Sequence, residues 1–186
     1  MESYIKKAEA GNKILYLASG VHYMNETWIL AADGVKITGA GMWYTKLQFT
    51  NSGMGSGGIC GEKTGYCQGV EFCNMYINSN LHSRFDQQAS IHDVWEEHFE
   101  CGFWIGRYDS NSINKESDLN IYNCRVRNNF ADGINFCQGT RDSNVHNCDI
   151  RNNGDDGLAM WNATDFQPDD EYNNTFCYNT VEFIWR

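Results

Sequence analysis

Proline is almost missing from this chain, with 1 residue against 18 glycines in 186. Corners must therefore come from glycine or from residues that tolerate a left-handed backbone. No apolar run is long enough to cross a membrane as a helix, which takes about 18 residues. Positive charge is scarce: 14 Lys and Arg face 24 Asp and Glu, for a net charge of −10. That balance argues against nucleic acid, an anionic membrane face or a polyanionic polysaccharide as partner. Although there are 8 cysteines, none forms a Cys-x-x-Cys pair, and no His stands at zinc spacing beside the closest group, Cys60, Cys67 and Cys73. No structural zinc site is expected, and that group is where an oxidised pair is expected if one forms. The start, Met1-Glu2-Ser3-Tyr4, lacks a basic stretch followed by an apolar one, so no signal peptide is visible. What is present, 41% apolar and 14% aromatic residues, suffices for a packed core and excludes global disorder.

The chain repeats itself. Residues 118–136 and 142–160 align without a gap at an offset of 24, with Asn123/Asn147, Cys124/Cys148, Arg127/Arg151, Asn128/Asn152, Asn129/Asn153, Asp132/Asp156 and Gly133/Gly157 among the identities. Weaker copies surround Cys73, His92 and Cys177. The period is too short for two-helix repeats, and its runs alternate as strands do. It predicts an all-β fold, a right-handed parallel β-helix like that of pectate lyases, in one domain over residues 1–186 with about 24 residues per coil. Alternation sends Cys124, Val126, Cys148 and Ile150 inward, packing the two thiols as small hydrophobes, with Ile121, Val145, Ile134 and Leu158 on the same side. Arg127 and Arg151 point outward. The paired asparagines fall at a corner, where stacked amides bond along the stack. Ser3–Ala10 reads as a short capping helix, and residues 51–69, with seven glycines, as an inserted loop. The chain stops inside an apparent strand with no cap, which suggests truncation of a longer domain or closure of the edge by oligomerisation.

Chemistry concentrates beyond the asparagine corner. Asp132 and Asp156 are ladder partners and Asp155 stands beside them. Carboxylates on adjacent coils are at the separations used in glycoside hydrolysis, and repulsion within the cluster favours retention of one proton. Asp-Gly is also an ordinary turn dipeptide, so one such aspartate alone would mean little. The case rests on three acids together with Trp161 just after them and Trp104 before, both suited to stacking on sugar rings. Gly133 and Gly157 are expected to leave room for a sugar. The histidines, His82, His92, His98 and His146 among them, show no ligand spacing.

The runs Asn123–Phe136 and Asn147–Asn162, with GDDGLAMWN, and VKITGAGMWYTKLQF at residues 35–49 resemble the catalytic coils of glycoside hydrolase family 87. The resemblance covers nearly the whole chain as part of a family catalytic domain. It implies a bacterial-type, secreted α-1,3-glucanase or mycodextranase on a parallel β-helix, hydrolysing with inversion through clustered aspartates. On it Asp132, Asp155 and Asp156 are the expected catalytic residues. A further family aspartate matches none of Asp165, Asp169 and Asp170 securely. The expected partner is a neutral α-glucan, with Trp161, Trp104, Arg127 and Arg151 as candidate substrate contacts, no nucleic acid, no membrane, no metal and no cofactor. Two other readings stand beside it. A pectate-lyase- or polygalacturonase-like enzyme would use Arg125, Arg127 and Arg151 toward a polyanion and the aspartates toward Ca²⁺. A non-catalytic, self-assembling carbohydrate-binding solenoid would use the uncapped end.

Overall fold

The computed structural model describes residues 14–30, 33–50, 58–61, 69–79, 89–106, 117–137, 139–162 and 171–185. Within these the chain forms β1 (Ile14–Leu17), β2 (Gly20–Met24), β3 (Trp28–Leu30), β4 (Lys36–Gly39), β5 (Thr45–Phe49), β6 (Ile59–Gly61), β7 (Val70–Asn78), β8 (Ala89–Glu97) and β9 (Phe103–Ile105). There follow β10 (Asn120–Tyr122), β11 (Arg125–Arg127), β12 (Ile134–Cys137), β13 (Asn144–His146), β14 (Asp149–Arg151), β15 (Leu158–Trp161), β16 (Thr175–Cys177) and β17 (Thr180–Glu182). No helix occurs among the described residues, and the segment read as a capping helix lies outside them.

Every strand pair is parallel, as in a β-helix-like stack. One wall runs β1-β4-β7-β8-β10-β13-β16. A second begins with β2 and β5, continues through the later halves of β7 and β8, and ends with β11, β14 and β17. A third wall holds β9, β12 and β15, and β3 pairs β6. Inward rows pack the interior. Ile37, Phe72, Ile91, Ile121, Val145 and Phe176 line the first wall in register. Val126, Ile150, Ile134 and Phe136 are buried from the other two. Each such side chain contributes roughly 1.5–3 kcal/mol through apolar burial. The expected inward set is buried except Leu158, which is half-buried, and Arg127 and Arg151 point outward.

Corners are made by single left-handed residues, stacked in columns. Asn74, Asp93, Asn123, Asn147 and Tyr178 turn between the first and second walls, with φ from 52° to 59°. His98, Asn128, Asn152 and Phe183 turn after the second wall. Gly34, Gly69, Asp118, Asp142 and Asn173 turn before the first. Short Asn and Asp side chains accept this conformation at the lowest cost after glycine, and they turn a chain that has a single proline.

The 24-residue step holds from β10 to β13, β11 to β14 and β12 to β15, but not elsewhere. Phe72 pairs Ile91, 19 residues on, whereas Ile37 pairs Phe72 across 35. Register is set by the inward row, so a corner can lengthen without shifting the ladder. The stretch read as one inserted loop contains β6, whose Ile59 is buried against Trp28 of β3 in register. Seven glycines hid a three-residue strand. Cys73, Cys124 and Cys148 are free buried thiols, which removes Cys73 from any expected disulfide. Cys67 lies outside the described residues.

Candidate active site

The corner after β11 builds the site from the inside outward. Asn128 and Asn152 take the left-handed turn, and the Asn152 amide donates to Asn128 Oδ1 at 3.3 Å. The next pair, Asn129 and Asn153, is buried. Asn129 Nδ2 donates to Asn153 Oδ1 at 3.1 Å and to Glu96 Oε2 at 2.9 Å, while Asn129 Oδ1 accepts from the Phe99 N–H at 2.9 Å. This amide ladder locks three successive coils at the turn. The backbone then leaves it toward solvent, and three residues later presents Asp132 on one coil and Asp156 on the next.

Backbone bonds continue the lock. Gly102 N–H donates to the Asp132 carbonyl at 3.0 Å, and Gly133 N–H to the Asp156 carbonyl at 2.8 Å. A Cβ on Gly133 would stand 2.6 Å from the Gly157 carbonyl oxygen and 2.7 Å from Asn153 Nδ2. Gly133 is buried and faces the neighbouring coil, so its role is close approach of stacked backbones, and the expected room for a sugar is not what it provides. The Asp132 carboxylate is held at both oxygens: Oδ1 accepts from the Asp156 N–H at 3.1 Å and Oδ2 from Asn135 Nδ2 at 2.6 Å. Asp132 and Asp156 are half-buried and Asp155 is exposed. One carboxylate oxygen from each of the three lies within 4.8 Å of the other two.

The cluster overhangs a cleft of about 400 Å³ lined by Glu100, Cys101, Trp104, Ala131, Asp132, Asn135, Asp155, Asp156, Ala159, Met160 and Trp161. Trp104, Asn135 and Ala159 are register partners on the outward side of the third wall and form the floor. Trp161, half exposed, stands beside them at the end of β15. Five residues expected from the sequence therefore meet in one place. Arg127 and Arg151 do not. They project from the second wall, where Arg127 Nε lies 3.5 Å from Glu97 Oε2 and its guanidinium 4.2 Å from the Trp95 ring centre, while Arg151 pairs with Asp149 and Glu182. Alternation tells in from out but not which of three outer faces a residue joins, so it does not separate these arginines from the cleft residues. Asn135 was missed. It lacks an asparagine partner one repeat on, and only its outward position three residues after Asp132 could have marked it.

Three oxygen-donor carboxylates this close could also attract a hard cation such as Ca²⁺. No basic side chain lines the cleft among the described residues, so the geometry there does not favour a polyanionic sugar. Asp165, Asp169 and Asp170, the positions weighed for a further family aspartate, lie outside the described residues.

Residues 4–184 match the family described as alpha-1,3-glucanase catalytic domain D2. The crystal structure of the Agl-KA catalytic domain is similar over 100% of this chain and 35% of its own, with 41% identity and a TM-score of 0.90. A GH87 alpha-1,3-glucanase catalytic domain carrying an aspartate-to-alanine substitution, in complex with nigerose, is 25% identical over 84% of this chain and 29% of its own, with a TM-score of 0.71. The catalytic unit of a thermostable GH87 alpha-1,3-glucanase from Streptomyces thermodiastaticus strain HF3-3 shares the fold at 18% identity and a TM-score of 0.77, over 97% of this chain and 32% of its own. The chain thus spans about a third of the length of these solved structures. No curated protein sequence matches it significantly.

Proposed function

Because the chain belongs to the alpha-1,3-glucanase catalytic domain D2 family, we propose that it supplies the acid cluster and cleft of a glycoside hydrolase that cuts α-1,3-glucan. We read the fold as a right-handed parallel β-helix, a single domain over residues 1–186. The observation that carries the reading is the meeting of Asp132, Asp155 and Asp156 over a cleft lined by Trp104 and Trp161. A second observation supports it. Two GH87 alpha-1,3-glucanase structures with nigerose, each 25% identical to this chain, carry alanine in place of aspartates 24 positions apart, the separation of Asp132 and Asp156.

Asp132 accepts hydrogen bonds at both oxygens, an arrangement suited to taking a proton from the attacking water. One of the tandem pair donates a proton to the leaving oxygen. Trp104 and Trp161 stack on sugar rings and fix the chain across the acids. The oxygens lie within 4.8 Å, closer to the roughly 5–5.5 Å of retaining pairs than to the 6.5–9.5 Å of inverting ones. The inverting outcome therefore rests on the family resemblance, and the anomer released first, read by proton NMR, decides it. The chemistry as read uses no cofactor. A glucan polymer does not cross a membrane, so the reading places the enzyme outside the cell.

The test is incubation of the purified chain with α-1,3-, mixed α-1,3/1,4- and α-1,6-glucans and polygalacturonate, with and without chelator. Release of reducing ends from α-1,3-glucan, unchanged by chelator, is the expected result. Calcium-dependent cleavage of polygalacturonate alone would sink the reading. So would a large, inert oligomer that binds no nigerose.

A further inference from the structure

Register assembles a second cluster, on the first wall and away from the cleft. Outward positions on β4, β7, β8, β10 and β13 place Thr38, Cys73, His92, Tyr122 and His146 in one row. The three rings at its far end stack: His92 on Tyr122 at 4.7 Å and 11°, and Tyr122 on His146 at 5.3 Å and 4°. At the near end Glu71, two residues before Cys73 on the same side of β7, meets Cys73 and His92. One donor atom from each lies within 4.8 Å of the other two.

We propose that Glu71, Cys73 and His92 form a binding site for a zinc-type divalent cation, clamping β7 to β8 on the outer face of the first wall. The donors are a thiol sulfur, an imidazole nitrogen and one carboxylate oxygen, a set that selects zinc-like ions over calcium or magnesium. Tetrahedral zinc, with bonds of about 2.0–2.3 Å, sets its donors roughly 3.3–3.6 Å apart. His92 Nε2 lies 3.0 Å from Glu71 Oε1, and Cys73 Sγ 3.6 Å from the same oxygen, so two of the three edges already approach that size.

The surroundings are those of a ligand set. His92 Nδ1 is 2.7 Å from Asp93 Oδ2, the carboxylate–imidazole pairing that fixes a metal-bound ring and leaves Nε2 as the ligand atom. Asn74 Nδ2 lies 3.4 Å from Cys73 Sγ and can donate to it, which steadies a thiolate. The cluster is only partly open, with Cys73 buried and the His92 side chain 15% exposed. Without a cation, Lys36 supplies the positive charge, its Nζ donating to Glu71 Oε1 at 2.5 Å. Lys36 is the more exposed partner and can swing out as a cation enters. A water would fill the fourth position.

The full chain is titrated with Co²⁺, then Zn²⁺, as the salts alone. One equivalent of Co²⁺ should give a thiolate-to-cobalt band in the near ultraviolet and tetrahedral visible bands, both erased by Zn²⁺. Cys73→Ser should lose the ultraviolet band, and His92→Ala should lose stoichiometric binding. Asp93→Asn, which leaves every donor in place, should weaken binding about 10- to 100-fold. Lys36→Met should tighten it by removing a competing charge. Asp156→Asn, in the cleft, should leave the spectrum unchanged. Absence of any saturable cobalt spectrum at one equivalent overturns the proposal, as do bands that survive in Cys73→Ser or an affinity indifferent to both Asp93→Asn and Lys36→Met. Circular dichroism of each variant separates lost ligation from lost folding.

Discussion

The second and third walls use the same ladder to opposite ends. On the second, Arg127 faces Glu97, Arg151 faces Asp149 and Glu182, and the like-charged rung Arg127–Arg151 is flanked by these acids. Glu97 also accepts hydrogen bonds from Tyr76 and Asn128, and Arg125 and Arg127 cover the Trp95 ring. At the rim of the third wall the same one-coil spacing gathers three acids, with no lysine or arginine among the residues lining the cleft. Opposite charges in register stabilise a sheet and like charges oppose it. The third-wall rim thus gives up ladder stability that the second wall keeps.

Neutralising an acid should therefore act in opposite directions on the two faces. The largest effect is expected in the cleft. Asp132→Asn or Asp156→Asn should lower kcat on α-1,3-glucan by about 10²-fold or more. The melting temperature should stay level or rise as repulsion is relieved. Full activity in both variants would reduce the aspartates to corner residues.

Between the two faces lies the buried amide ladder, and Asn129→Ala should cost about 1–3 kcal/mol in a denaturant titration, because it strands Glu96 and the Phe99 N–H. An unchanged midpoint would show that the corner holds without it.

Two neighbours on β8 sharpen the contrast further. Glu96 points inward between Ile77 and Val126, and burial pushes its pKa well above 4.5. Glu97 points outward. Burial raises its pKa too, but hydrogen bonds from Tyr76 and Asn128 outweigh that and hold it below 4.5. The Glu96 contribution to stability is present below the ordinary carboxylate range and fades as pH rises through its elevated folded value. The Glu97 contribution is present above that range and fades as pH falls through its lowered one. Glu96→Gln should flatten the loss of stability on the alkaline side, and Glu97→Gln the loss on the acid side, in melting temperatures followed from pH 3 to 9. Identical profiles for the two variants would erase the distinction. The smallest effect belongs to the paired face, where Arg127→Met should cost about 0.2–1 kcal/mol, the partly exposed setting of the pair keeping it small.

Much of this was legible because a repeat turns sequence offset into position. Asn128 over Asn152, Cys124 over Cys148 and Asp132 over Asp156 followed from one gapless alignment, and with them the corner and the acid cluster. What escaped depends on neighbours that no offset announces. The 24-residue step fails wherever a coil is longer or shorter than the repeated pair, from 19 residues between β7 and β8 to 35 between β4 and β7. Glu96 sits in an apolar row because Asn129, 33 residues away, completes it. Cys73 and His92 show no ligand spacing in sequence, yet a 19-residue coil makes them register partners. Zinc spacing in sequence is a property of one turn, whereas here proximity is set by the pitch of the stack.

The uneven coils have an engineering consequence. Steps of 19 to 35 residues share one register, so distance along the chain and position in space are decoupled at the corners. A corner can be treated as a port: a peptide spliced there adds a protrusion while every rung keeps its place. Diversification of such a scaffold should therefore run through its corner lengths, which change what overhangs the cleft while the inward rungs beneath stay fixed.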